Sequence, residues 1–440
     1  MSRANRPADV AGWLALLETL HPQPIALGLD RVREVLLRMG TVLRCPVITV
    51  TGTNGKGSTT AFCDAMLRAS GYRCGRYTSP HLLHYNERIA IDGVPVDDAA
   101  LIEAFNAVED ARTAVAPATL LTYFEMGTLA ALWLFARARL DAVVLEVGLG
   151  GRLDAVNIID ADVAVLTSVD LDHLDFLGPT REHVGREKAG IFRSGRPAVV
   201  GERDIPQSVL DHAQAIGATL LRIGRDYDAV AQGAQWRYRG PGGERFGLPV
   251  PALRGDYQLG NAATAIAALG CLQARLPLPA AAVRDGLVGV ELPGRLQSLP
   301  GRPAIVLDVA HNPHAARALA AALGNMGFHP QTTAVFAMLA DKDIDGVICA
   351  MQSRVERWEV AGLPGPRGAS AALLRERLAA AHVSPTAIRT HDDVVAAFEA
   401  AAAAAGEADR IVVFGSLLTV AAALARGRPD APAPKRPPNP

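Results

Sequence analysis

The stretch Thr51-Gly52-Thr53-Asn54-Gly55-Lys56-Gly57-Ser58-Thr59 decides how this chain is read. It follows Val47-Ile48-Thr49-Val50, a short β-branched run bounded by glycine, which reads as a buried strand. A helical pattern follows, over about Ser58 to Ser70. Small residues between a strand and a helix let backbone N–H groups approach phosphate oxygens, and the helix N-terminus adds a favourable dipole. Lys56 would neutralise the β- and γ-phosphates, and a Ser58 or Thr59 hydroxyl could face a magnesium ion. The strict phosphate-loop pattern fails twice: Val50 stands where a glycine belongs, and Gly57 separates Lys56 from Ser58. A nucleotide site is the reading these residues favour over a plain glycine-rich turn.

Working outward, Ala142 to Val147 and Val163 to Ser168 read as further buried strands, with a helix from about Tyr123 to Arg139 before the first. Such alternation predicts a mostly parallel α/β sheet. Gln235 to Pro249 reads as a hairpin or irregular insert. A Pro-Gly linker at Leu292-Pro293-Gly294-Arg295 precedes a second, smaller, Rossmann-like block. Its strands are Ala304 to Asp308, Thr333 to Met338, Trp358 to Ala361 and Arg410 to Gly415. Helices fill Ala315 to Met326, Ser370 to Ala381, Val394 to Ala405 and Leu417 to Arg426. The resulting division is 1–295, 296–427 and a proline-rich, disordered tail at 428–440.

Chemistry gathers at the strand ends. Glu146 ends one strand and precedes Gly148, Gly150 and Gly151, which suggest backbone packed against something bulky. Asp170-Leu171-Asp172-His173-Leu174-Asp175 ends another. Thr78-Ser79-Pro80-His81 follows a strand over Cys74 to Tyr77 and reads equally as a turn, an N-cap or a hydroxyl for a metal. Lys188, taken alone, is a solvated helix charge. In the second block Asp308-Val309-Ala310-His311-Asn312-Pro313 is either a functional strand end or simply Asn312 capping a helix begun by Pro313. Asp341-Lys342-Asp343 and Gly415-Ser416 end later strands on the same edge.

Composition narrows the class. Lys plus Arg is 44 against 45 Asp plus Glu, a net charge of −1, which argues against a nucleic-acid binder. Five scattered cysteines without a CxxC argue against a disulfide framework or a thiolate zinc site. Neither a leader nor a membrane-spanning run is evident, so a cytoplasmic protein is expected, and the nearly neutral, patch-poor sequence gives no reason to exceed a monomer.

In order, TGTNGKGS, TSPHL, LTYFE, LEVGLGGRLDA, DHLDFLG, REKAGIFR, GNAATA, LPGRLQ, DVAHNPHA and ADKD closely resemble bacterial folylpolyglutamate synthase/dihydrofolate synthases, cousins of the Mur peptidoglycan ligases, from about Trp13 to Arg426. The resemblance implies a Mur ligase-like central domain binding ATP and pterin, then a glutamate-ligase domain. It implies joining L-glutamate to dihydropteroate and to tetrahydrofolate through an acyl phosphate, with ATP, two magnesium ions and a monovalent cation as cofactors. By the same resemblance Gly52, Thr53, Asn54, Gly55, Lys56, Gly57 and Ser58 form the phosphate loop, and Asn261, Arg295 and Asp308 contact the nucleotide. Ser79, Glu146 and His173 match magnesium ligands, and Lys188 matches a carbamylated lysine. Ile25, Ala26, Leu27, Leu121, Thr122, Tyr123, Phe124, Leu153, Asp154 and Ala155 match the pteridine pocket. Asp308, His311, Lys342 and Ser416 match the side facing glutamate and the transferred phosphate, with Pro293-Gly294 as a hinge. Three other readings compete: a folylpolyglutamate synthase lacking the first activity, a Mur-type ligase of a UDP-linked precursor, and a phosphate-loop switch without ligase chemistry.

Overall fold

The computed structural model describes residues 6–427; the proline-rich tail lies outside them. The chain divides into two units, one comprising Met1–Ala252 and Tyr257–Leu292, the other Leu253–Asp256 and Pro293–Pro440.

The first unit begins with α1 (Val10–Leu17), α2 (Asp30–Met39), β1 (Val47–Thr51), α3 (Lys56–Ala69), β2 (Cys74–Tyr77), β3 (Ile89–Ile91), β4 (Val94–Pro95), α4 (Asp98–Arg112) and α5 (Tyr123–Arg137). It continues with β5 (Ala142–Glu146), β6 (Val163–Leu166), α6 (Leu174–Leu177), α7 (Arg181–Ala189), β7 (Pro197–Val200), α8 (Gln207–Ile216) and β8 (Thr219–Arg222). It closes with β9 (Asp228–Gln232), β10 (Gln235–Gly240), β11 (Gly243–Pro249), α9 (Tyr257–Gly270) and α10 (Ala280–Gly289).

Its main sheet has eight strands in the order β4-β3-β2-β5-β1-β6-β7-β8. Every residue of β1 and β5 is buried, as expected of parallel strands covered on both faces. β1 runs parallel to β5 on one side and β6 on the other. Only the β2–β3 and β3–β4 pairings are antiparallel, β3 and β4 forming an edge hairpin on β2. α3, α9 and α10 pack together, while α1, α2, α4 and α5 gather around Trp13 and Phe105, whose ring centroids are 5.7 Å apart. The Gln235 to Pro249 stretch is a hairpin in a separate three-stranded sheet, β11-β10-β9, with its register shifted between Trp236 and Tyr238.

The second unit runs β12 (Gln297–Leu299), β13 (Ala304–Leu307), α11 (Pro313–Asn325), β14 (Thr332–Phe336), α12 (Ile344–Met351), β15 (Arg357–Ala361), α13 (Ala371–Ala380), β16 (Ile388–His391), α14 (Val394–Ala404), β17 (Arg410–Phe414) and α15 (Leu417–Arg426). Its sheet order is β12-β13-β17-β14-β15-β16, parallel except for β12. Phe336 sits between Trp358 and Phe414, at centroid distances of 5.4 and 5.0 Å, and anchors the core. Arg295 and its neighbours go with this unit. Val309 N–H donates to Gly294 O at 2.9 Å, and Leu296 N–H donates to the Asp308 carboxylate at 2.8 Å. Among the described residues no helix is long and apolar enough to cross a membrane.

Candidate active site

The glycine loop lies between β1 and α3, and the end of β6 pins it. Thr53 N–H donates to Ser168 O at 2.8 Å, and Asn54 N–H to Ser168 Oγ at 3.0 Å. Thr167 Oγ1 donates to Asn54 O at 2.6 Å. Gly52 is obligatory here: its φ is +153°, and a Cβ would stand 1.8 Å from Thr167 Oγ1. Gly55, at φ +85°, caps α3, and a Cβ on it would meet Asn261 Oδ1 at 2.7 Å. Asn261 is thereby set on the loop. Its Nδ2 donates to Gln258 Oε1 at 2.9 Å, and Gln258 Nε2 donates to Ser58 Oγ at 3.2 Å. Lys56 folds back over the loop, Nζ donating to Gly52 O at 2.8 Å and Thr53 O at 3.3 Å.

Glu146 ends β5 beside the start of α3. A Cβ on Gly57 would stand 3.7 Å from both carboxylate oxygens, and Ser79 N–H donates to Oε2 at 3.4 Å. A carboxylate and a hydroxyl residue at a helix N-terminus are hard oxygen donors suited to magnesium. His173 precedes α6 on the loop after β6, which β1 separates from β5; it has a left-handed conformation (φ 52°), with its Nε2 3.9 Å from the Asp172 carboxylate. Among the described residues no three of His, Cys, Asp and Glu form a metal-ligating group by themselves. The structure therefore brings Ser79 and Glu146 together and leaves His173 on the β6–α6 loop.

Lys188 corrects its reading as a solvated charge. It is 4% exposed, and burial, helped by the positive charge of Lys56, holds its amine well below the usual lysine range. Asp172 and Asp154 oppose that shift. The bulky object packed against the glycine run is α7 itself. A Cβ on Gly151 would stand 2.7 Å from Lys188 O and 2.9 Å from Glu187 O, and Arg152 N–H donates to Glu187 O at 2.8 Å. Gly148 lies under the Phe124 ring, 2.7 Å from where its Cβ would be.

The three segments matched to a pteridine pocket converge. Gly28 N–H donates to Leu153 O at 3.2 Å, joining the end of Ile25 to Leu27 to the Leu153 to Ala155 turn. Arg31 donates to Ala26 O and pairs with Glu125 at 2.6 Å. Glu125 in turn completes a capping box with Thr122, which starts α5 just after Leu121 and before Tyr123 and Phe124. Asp154 accepts from Leu149 N–H and Val156 N–H at 2.8 and 3.0 Å. Burial pushes its pKa up to about 6 against those hydrogen bonds and the charge of Lys56. Gln258 and Arg31 escaped the sequence reading, which reached Glu125 only as the end of the LTYFE segment. Gln258 was within reach of it, because it precedes Asn261 by one helical turn on the same face of α9.

In the second unit the carboxylate of Asp308, at the end of β13, accepts from Leu296 N–H and Ala310 N–H, each at 2.8 Å. Burial raises its pKa, and Arg295 opposes the rise. His311 Nδ1 lies 2.9 Å from Val309 O and donates its proton there, which fixes the orientation of the ring. Asn312 caps α11 through Ala315 N–H, with Pro313 at the first turn. Ser416 caps α15 at the end of β17, and Lys342 lies between β14 and α12.

Residues 50–269 match the Mur ligase middle domain, and residues 294–417 match the Mur ligase glutamate ligase domain. The chain is 46% identical over 415 residues to the dihydrofolate synthase/folylpolyglutamate synthase of Escherichia coli, covering 94% of each. The fold is similar to that of E. coli FolC in complex with DHPP and ADP, with a TM-score of 0.89 and 45% identity over 94% of this chain and 97% of that one. It is similar also to a bifunctional folylpolyglutamate synthase/dihydrofolate synthase with Mn, AMPPNP and L-glutamate bound, with a TM-score of 0.87 and 46% identity over 96% of this chain and 98% of that one. Two domain models in succession and near full-length identity of this order place the chain in the dihydrofolate synthase/folylpolyglutamate synthase family of Mur ligases.

Proposed function

We propose that this protein is an ATP-dependent ligase adding L-glutamate first to dihydropteroate and then to tetrahydrofolate. The observation that carries the reading is the convergence, in one unit, of the glycine loop, Glu146 beside Ser79, the buried Lys188 and the three segments around Phe124 and Asp154. In such a reaction the acceptor carboxylate attacks the γ-phosphorus of ATP, ADP leaves, and the glutamate amine then attacks the acyl phosphate and expels phosphate. Phosphoryl transfer of this kind is mostly positioning and charge neutralisation.

The loop amides and Lys56 are assigned to the ATP phosphates, and Asn261, Arg295 and Asp308 to the rest of the nucleotide. Ser79, Glu146 and His173 would hold magnesium, which supplies charge neutralisation on the phosphates when bound. Lys188 is assigned as the carbamylated lysine, because an uncharged amine is the form that adds carbon dioxide. His311, its ring oriented by the Val309 carbonyl, is assigned to the glutamate side. Phe124 and Asp154 are assigned to the pteridine, as a stacking face and a hydrogen-bond acceptor.

The test is ADP release with glutamate, offering dihydropteroate and tetrahydrofolate separately. Turnover with both is expected. Turnover with tetrahydrofolate alone would remove the first activity, and turnover with neither would overturn the assignment.

A further inference from the structure

The two acceptors differ in one charge. Dihydropteroate carries a single carboxylate, the one that reacts. Tetrahydrofolate ends in a glutamate, so one carboxylate reacts and the other stays ionised in a site that must exclude water. A buried carboxylate is costly without a paired cation.

Arg88 is such a cation, and nothing assigned so far uses it. It is 8% exposed. Nε donates to His81 Nδ1 at 2.9 Å, and the guanidinium lies over the rings of Tyr85 and Tyr123 at 5.1 and 5.5 Å from their centroids. It also approaches the Tyr77 hydroxyl. Among the described residues it forms no ion pair with a carboxylate. The adjacent acid, Glu87, is committed elsewhere, accepting from the backbone N–H groups of Leu82, Leu83 and His84 at 2.7 to 2.8 Å. His81 meets Arg88 as a hydrogen-bond acceptor through Nδ1 and brings no carboxylate to it.

The position of Arg88 fits the role. His81 belongs to the loop of Ser79, whose N–H reaches Glu146 on the phosphate side. Tyr123 belongs to the Leu121 to Phe124 segment on the pteroyl side. Arg88 touches both segments, so an acceptor reaching from the pteroyl side to the phosphate side would bring its carboxylate end near it.

We propose that Arg88 binds the spare α-carboxylate of a folate acceptor and so serves glutamate extension more than the first glutamylation. The inference rests on the function proposed above. Cation–π contact with Tyr85 and Tyr123 stabilises the waiting guanidinium, and a carboxylate would add charge-assisted hydrogen bonds.

The test measures KM and kcat for Arg88→Met, Arg88→Lys and the unaltered protein with three acceptors: dihydropteroate, tetrahydrofolate, and a tetrahydropteroyl chain ending in 4-aminobutyrate. The last keeps the reacting carboxylate and lacks the spare one. In R88M the ratio of KM for tetrahydrofolate to KM for dihydropteroate should rise about tenfold or more, the scale of a lost charged hydrogen bond. R88M should also cease to distinguish tetrahydrofolate from the 4-aminobutyrate compound, and R88K should recover part of the difference. Equal changes for all three acceptors, or none, would overturn the proposal in favour of a packing role. If R88M does not fold, R88K decides, because loss of the planar fork should raise the same ratio and an unmoved ratio refutes the assignment. Failure of the function itself looks different, because the unaltered protein would then release no ADP with any acceptor.

Discussion

Lys56 and Lys188 illustrate two uses of one residue type. Lys56 rests on carbonyl oxygens of its own loop, so its removal leaves the strand and helix on either side intact. Lys56→Ala should cut ADP release by at least about 100-fold, the scale of losing one preorganised charge donor. Its circular dichroism and melting temperature should stay near those of the parent. Near-normal turnover would remove the loop from the phosphate role. Lys188 is buried with its pKa depressed, whereas the unfolded chain holds a lysine at about 10.4. Between those two values the unfolded state binds more protons, so this residue lowers native stability progressively as pH falls from the unfolded lysine range towards the folded value. Lys188→Met should therefore melt no lower than the parent near neutral pH, and its advantage should shrink as pH rises towards about 10. Its ADP release should collapse. A variant that melts lower and still turns over would contradict both the buried amine and its assigned role. Lys188 shows where sequence reading stops. REKAG has the look of a solvated helix end, and what buries its lysine is a glycine turn some 35 positions earlier, as the Arg152 to Glu187 contact shows.

At the scale of elements, the glycine run after β5 holds α7 in place. Gly151→Ala would drive a methyl into the carbonyls of Glu187 and Lys188. The expected cost is about 1–3 kcal/mol, as for overpacking a filled interior, with a loss of turnover from displacement of Lys188. Chemical denaturation beside ADP release checks both, and an unchanged midpoint would mean that α7 yields freely. Close packing at these glycines was legible from Gly148, Gly150 and Gly151, but its partners were not, because α7 and Phe124 are distant in sequence. The central strands were legible for the opposite reason: β1 and β5 are continuous apolar runs that suit burial on two faces. Strand β16 was not, since Ile388-Arg389-Thr390-His391 has an exposed middle and no apolar alternation. Its edge position needs none.

For the whole molecule, each unit has a core of its own, and that of the second is built around Phe336, Trp358 and Phe414. Residues 293–427 expressed alone should unfold in one cooperative transition and show no ATP turnover, since the glycine loop is in the other unit. A chain without a cooperative transition would show that this core is insufficient. The broad α/β architecture was legible in the alternation of strands and helices. The antiparallel strands β3, β4 and β12 were missed because each is three residues or fewer, too short to show a period.

The shortest of these strands has a consequence for the protein in crowded solution. A parallel sheet ends in a row of unpaired N–H and C=O groups, a template on which another chain can polymerise. The eight-stranded sheet ends on one side in β4, two exposed residues of which the second is Pro95. Proline has no N–H to offer an incoming strand. The hairpin that ends the sheet on this side thus acts as a guard against edge-to-edge aggregation.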